Sequence, residues 1–295
     1  MKRAAFLTAL LAGLAGIPFV SAQEPGLLPP IEKGLRVFTC GHSFHVFTYP
    51  QVRQMAQAAG LQQVEAGLSS IGGSMVKKHW DVPDEKNLAK AALKEGKVDV
   101  LTLSPIWLPD EGIENFAQLA VQHNPDIRIT VQEYWLPNDE YVPVYPLQTK
   151  KKVDHNATDI SKLAGANAQY EKDIEAHVSG INERLGRKAL VVVPVGRASI
   201  ALRKRIIEGA APGLKQQWDL FRDNWGHATT PLQILASYCH FAVIYRRSPV
   251  GLPVPLQFKA LKMTDDEKNR LNLLLQELAW DAVSHHPMAG VMTVK

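Results

Sequence analysis

The chain has 295 residues, 46% hydrophobic and 21% charged, with a formal net charge of +4. That is ample apolar material for a core, and the length suits one large domain or one domain with elaborated loops. The charge is too small and too dispersed for nucleic acid as the main partner, which asks for a concentrated basic face.

Residues 1–22 read as a secretory signal peptide: Lys2 and Arg3, an apolar run over 4–20, then the small-residue site Val20-Ser21-Ala22. An uncleaved N-terminal anchor is the alternative. Lys2 and Arg3 leave with the signal, taking the basic count from 33 to 31 against 29 acidic residues, or about +2. No other run approaches the ~18 apolar residues of a spanning helix. The expectation is a secreted or periplasmic chain, one domain over 23–295, with no membrane contact after cleavage. Export permits a disulfide, but Cys40 and Cys239 read as two small core residues, and their spacing suggests no zinc site.

In chain order, a Pro- and Gly-rich lead-in over 23–33 precedes a first strand at 35–40. A helix over 49–59 stops at Gly60, a second strand spans 61–68, and the S-S-I-G-G-S loop covers 69–74. A helix over 84–95 leads to a strand at 98–103, whose near-continuous apolar run suggests burial on both faces. A helix over 112–123 and a strand at 127–134 follow. Residues 136–155 are irregular, with Pro137, Pro143 and Pro146, and so long a loop is usually functional. The run Lys150-Lys151-Lys152 within it reads as a solvated loop.

A long helical pattern over 159–185 carries Gly165 and Gly180 as candidate kinks. A strand at 189–195 and helices over 198–208 and 231–246 come next. An amphipathic helix over 264–284 opens on the capping signal Thr264-Asp265-Asp266-Glu267. Five alternations of strand and helix make this an α/β protein with a parallel sheet covered on both faces. A flavodoxin-like strand order is one of the two common answers.

The chemistry concentrates after the first strand, where Leu35-Arg36-Val37-Phe38-Thr39-Cys40 runs into Gly41-His42-Ser43-Phe44-His45. The carboxyl edge of such a sheet is where ligands bind. Ser43 is the candidate nucleophile, and a serine hydroxyl needs a neighbouring base. His227 supplies one, and Asp223 can hold its imidazole in the right tautomer. The backbone N–H groups of Ser43 and Gly73 are candidate oxyanion donors. His42, His45, His79 and Trp107 are candidate pocket residues, and Trp80, Trp107 and Trp135 could stack on a sugar ring. The pair His285-His286, past the last helix, reads as exposed. G-H-S-F-H fits only the start of the α/β-hydrolase elbow G-x-S-x-G: His45 replaces the second Gly, and too little mature chain precedes Ser43.

A serine after strand one, with Asp and His close together near the C-terminus, resembles the SGNH (GDSL-like) hydrolases, and among them the secreted variants of planctomycete-like bacteria with H-S and G-G-S blocks. Gly41-His42-Ser43 stands where that superfamily has G-D-S, and Gly72-Gly73 where its second block lies. The third block, G-x-N-D, is absent: strand three runs into Ser104-Pro105-Ile106-Trp107. The last block, D-x-x-H, is off by one, because Asp223 lies four residues before His227. The resemblance spans about 35–248. It implies a three-layer α/β/α sandwich with a five-stranded flavodoxin-like sheet, ester-hydrolysing activity, no cofactor, and a small-molecule or polysaccharide ester as substrate. The missing Asn would remove one oxyanion donor, worth about 10²–10³ in rate. Two other readings stay open. One is a non-catalytic carbohydrate-binding protein with Ser43 and His227 out of reach of each other. The other is a metal-dependent hydrolase built on His42, His45 and His79.

Overall fold

A computed structural model describes residues 26–141 and 152–292. The expected signal peptide at 1–22 lies outside the described residues, as do Pro143, Pro146 and two of the three lysines of the basic run. Five strands, β1 (Arg36–Gly41), β2 (Val64–Ser70), β3 (Val100–Leu103), β4 (Arg128–Glu133) and β5 (Leu190–Pro194), form one sheet. All pair in parallel, in the order β2-β1-β3-β4-β5. This is the expected flavodoxin-like order.

The helices are α1 (Thr48–Ala58), α2 (Val76–Trp80), α3 (Leu88–Lys94), α4 (Glu111–His123), α5 (Ile160–Arg184), α6 (Val195–Ile207), α7 (Thr230–Tyr245) and α8 (Asp265–Ser284). A right-handed crossover from β1 to β2 puts α1 on one face, and the reversed direction of the later crossovers puts α3, α4 and α5 on the other. After β5 the chain returns to the first face, where α7 packs against α1, α6 and α8. α7 is buried along nearly its whole length. Such a helix is apolar all round rather than striped, and functions as core.

Several boundaries depart from the sequence reading. Residues 84–95 do not form one helix. Asn87 leaves helical geometry, and its Oδ1 caps Lys90 N–H at 3.0 Å, so a 3₁₀ turn at Asp84–Lys86 is divided from α3. Ser69 and Ser70 belong to β2 rather than to a loop. α5 runs through Gly165 and Gly180 as one helix. Cys40 and Cys239 are both buried free thiols, as the core reading expected.

The direction of the crossovers changes between β1 and β3, the switch point at which open α/β sheets bind ligands beyond their strand ends. β1 feeds the 41–47 turn into that place and β3 feeds 104–107. Gly41 is required there: a Cβ would sit 2.5 Å from the His45 ring, which folds back beneath the turn.

Candidate active site

Ser43, His227 and Asp223 come together although 180 residues separate the serine from the acid–base pair. Ser43 Oγ lies 2.9 Å from His227 Nε2, and His227 Nδ1 lies 2.7 Å from Asp223 Oδ2. Asp223 Oδ1 also accepts the backbone N–H groups of Trp225 (3.0 Å) and His227 (3.1 Å). Burial opposes the charge on Asp223, yet these bonds and the imidazole hold its pKa below the usual carboxylate value. With Asp223 ionised, the imidazole carries its proton on Nδ1 and offers the Nε2 lone pair to the serine hydroxyl.

The spacing of four residues works because 223–227 is a turn. It is closed by an isolated bridge between Phe221 and Ala228, by Arg222 N–H to His227 O (2.9 Å), and by Gly226 N–H to Asp223 O (3.1 Å). The turn is tied to the exit of β4: Trp135 Nε1 donates to Gly226 O at 2.7 Å, and Asn138 N–H donates to Trp225 O at 3.2 Å. Phe44 packs against both the His227 ring and the Trp135 ring, each at 4.9 Å between centroids.

Ser43 opens into a cavity of about 380 Å³. Gly72 and Gly73 form part of its wall, as do Phe44, Ile106, Trp107 and Tyr134. Gly73 holds φ +57, where glycine is at ease, and a side chain there would meet open space. Among the described residues, none accepts from the backbone N–H of Ser43 or of Gly73. Both groups are therefore free donors at the cavity wall. Tyr134 Oη donates to Ile106 O at 2.7 Å and fixes the loop after β3. Among the described residues, no Asn lines the cavity. Ser104, first in the loop where the third block was sought, sits 3.3 Å from His42 Nε2.

The candidate pocket histidines divide. His42 lines the cavity but is 1% exposed, its Nδ1 accepting Phe44 N–H at 3.3 Å, and burial pushes its pKa down to about 3. His45 does not reach the cavity. It lies under the turn, 2.9 Å from Gln132 Oε1 and 3.0 Å from Thr102 Oγ1, and burial lowers its pKa to about 4. His79 does not reach it either: Ser69 Oγ and Ser74 Oγ hold its two nitrogens at 2.7 and 2.9 Å. The three imidazoles spend their nitrogens on separate partners, so they do not converge on one ion.

Among the described residues, a set spaced for a cation is Glu171, Glu175 and His286. There, however, His286 Nδ1 accepts Met288 N–H at 3.1 Å, which puts the ring proton on the nitrogen facing the carboxylates. The Arg197 guanidinium already pairs with Glu171. Contrary to the sequence reading, His286 is buried at 1% exposure, and His285 alone is exposed.

The tryptophans divide too. Trp107 lines the cavity. Trp80 packs edge-on against Phe116 beneath Lys90, and Trp135 is buried behind the Asp223–His227 turn. Trp225, which sequence reasoning passed over although it lies inside the Asp223–His227 block, is 50% exposed and lines the cavity mouth. Phe44, inside the first block, was passed over in the same way.

No protein-family model matches the chain, and no curated protein matches it. Among solved structures, it is similar to a crystal structure of a DUF4886 family protein from Bacteroides uniformis, with a TM-score of 0.51 and 14% identity over 85% of this chain and 95% of the other. At that identity the likeness concerns the fold alone. It agrees with the parallel sheet covered by helices on both sides.

Proposed function

We propose that this protein is an exported serine hydrolase of the SGNH type that cleaves an ester. The observation that carries the reading is the unbroken relay from Ser43 Oγ through His227 to Asp223, at 2.9 and 2.7 Å. Ser43 Oγ attacks the ester carbonyl while its proton passes to His227 Nε2. Asp223 stabilises the imidazolium that forms. The oxyanion gathers the free N–H groups of Ser43 and Gly73. His227 returns the proton to the departing alkoxide, leaving an acyl-Ser43 ester that water, activated by the same imidazole, cleaves in turn. Nothing in this sequence of steps calls for a cofactor.

The wall of the cavity, with Phe44, Ile106 and Trp107 and, among the described residues, no carboxylate or ammonium group, favours a neutral apolar acyl group. Trp225 at the mouth offers a face on which a sugar or another planar alcohol could stack. A non-catalytic binding protein would have no need of Ser43 within 2.9 Å of an oriented base, and that contact speaks against it. Export rests on the pattern of residues 1–22.

The test is hydrolysis of p-nitrophenyl acetate and butyrate by the mature protein beside Ser43→Ala, with fluorophosphonate labelling mapped by mass spectrometry. The label is expected on Ser43, and turnover by the variant is expected to fall by about 10⁴–10⁶. A folded protein that neither labels nor turns over would overturn the reading.

A further inference from the structure

A second cavity, of about 680 Å³, lies at the opposite edge of the sheet. Arg128 opens β4 and Leu190 opens β5, and both line it. The six-residue β4 separates this edge from the catalytic edge by roughly 20 Å.

Its charges are unbalanced. Arg128, Arg187, Lys188 and Arg246 line it against one carboxylate, Glu183. Among the described residues, none of the four cations has a carboxylate within 4.0 Å. Arg128 is fixed: its Nη1 and Nη2 donate to the carbonyls of Ile244 and Val243 at the end of α7, at 2.7 and 2.8 Å. Arg246 follows directly in the left-handed region (φ 50), and its buried Nε has no acceptor among the described residues. Burial, then repulsion from Arg246, pulls the Arg128 pKa down to about 10. Bringing two like charges out of water without a counter-charge is costly. The rest of the lining includes Leu190, Val191 and Met288, an apolar floor beside the cations.

We propose that this cavity binds an anionic amphiphile, its acidic head between Arg246 and the Arg187–Lys188 rim and its apolar body against Leu190, Val191 and Met288. The head would supply the missing counter-charge beside the Arg246 guanidinium. The floor would account for the preference over a simple anion. The site is independent of Ser43 and stands or falls apart from the hydrolase reading.

The experiment is titration calorimetry of the mature protein with decyl phosphate below its micelle-forming concentration, beside inorganic phosphate and 1-decanol. Saturable binding of decyl phosphate is expected, at least tenfold tighter than either control and unchanged in Ser43→Ala. Arg246→Gln should weaken it tenfold or more, and Arg246→Lys should restore most of it. The exposed pair Arg187→Gln/Lys188→Gln should weaken it several-fold and flatten its salt dependence. That pair serves alone if Arg246→Gln does not fold. Binding indifferent to these variants, or equal for decanol, would overturn the site. So would binding confined to anionic lipid vesicles, which would make the patch a membrane contact.

Discussion

At the carboxyl edge of the sheet, the charge a reaction would create has an answer already in place. Asp223 faces the imidazole and accepts two backbone N–H groups, and His42 and His45, flanking Ser43 in the chain, are buried and hydrogen-bonded. At the amino edge, four cations surround a cavity with one carboxylate among its walls. One fold thus carries a self-compensated site and an uncompensated one, and the difference is in what each lacks. The first lacks only a substrate whose charge develops during reaction. Among the described residues, the second lacks enough standing negative charge to match its four cations. Electrostatic preorganisation serves catalysis when it is neutral at rest and responsive in the transition state, whereas a persistent excess of one sign serves binding.

The contrast can be broken most severely at its compensating acid. Asp223→Asn keeps the shape of the turn but removes the charge and lets the imidazole take the wrong tautomer. Turnover of p-nitrophenyl butyrate should drop by about 10⁴ with little change in KM, and a drop of less than tenfold would detach Asp223 from the relay. A smaller effect is expected at the cavity wall. Trp107→Ala should lower kcat/KM for butyrate by about tenfold, mostly through KM, with acetate less affected, because about 1–3 kcal/mol is what an apolar pocket contributes per small group. Equal losses for both esters would remove Trp107 from acyl recognition.

Smaller still, and independent of turnover, is the response of stability to pH. His42 and His45 have pKa values pushed down to about 3 and 4, so the unfolded chain takes up protons first as pH falls below the ordinary histidine value of 6.5. Their contribution is present above that value and is lost toward pH 3–4, with a limiting slope of about 1.4 kcal/mol per pH unit for each proton. Glu133 runs the other way. Burial raises its pKa from 4.5 to about 8, so its contribution is whole below 4.5 and is lost as pH rises to 8. The limbs overlap, and because two histidines outweigh one glutamate, urea midpoints should rise to a peak at about pH 6.5 and decline above it. Glu133→Gln should flatten the decline between pH 6.5 and 8, and an unchanged alkaline limb would refute the assignment.

The sheet was legible because β5 is an unbroken apolar run, β3 is a nearly continuous one interrupted by Thr102, and the intervening helices carry clear stop signals. Ser43 and His227, the proposed nucleophile and base, were legible because both sit in compact polar blocks. Histidine orientation was not. Whether His45 turns into the cavity or beneath it depends on Gln132, on another strand. Trp135 read as a stacking candidate and Trp225 was passed over, yet the first is sealed behind the turn and the second stands at the mouth. The amino-edge cavity left no local mark, since its cations come from a strand start, a helix-to-strand turn and a helix end that only sheet register brings together.

His227 and Asp223 share one short bridged turn, half-exposed and outside the sheet, moored by Trp135, Asn138 and His155. A segment with so few buried contacts opens at a lower free energy than the core does. Ser43, by contrast, is seated on the turn that directly follows β1, an interior strand of the sheet. Warming would then disarm the protein before it melts it: loss of activity and loss of structure become two separate transitions, the first reversible and confined to residues 221–228.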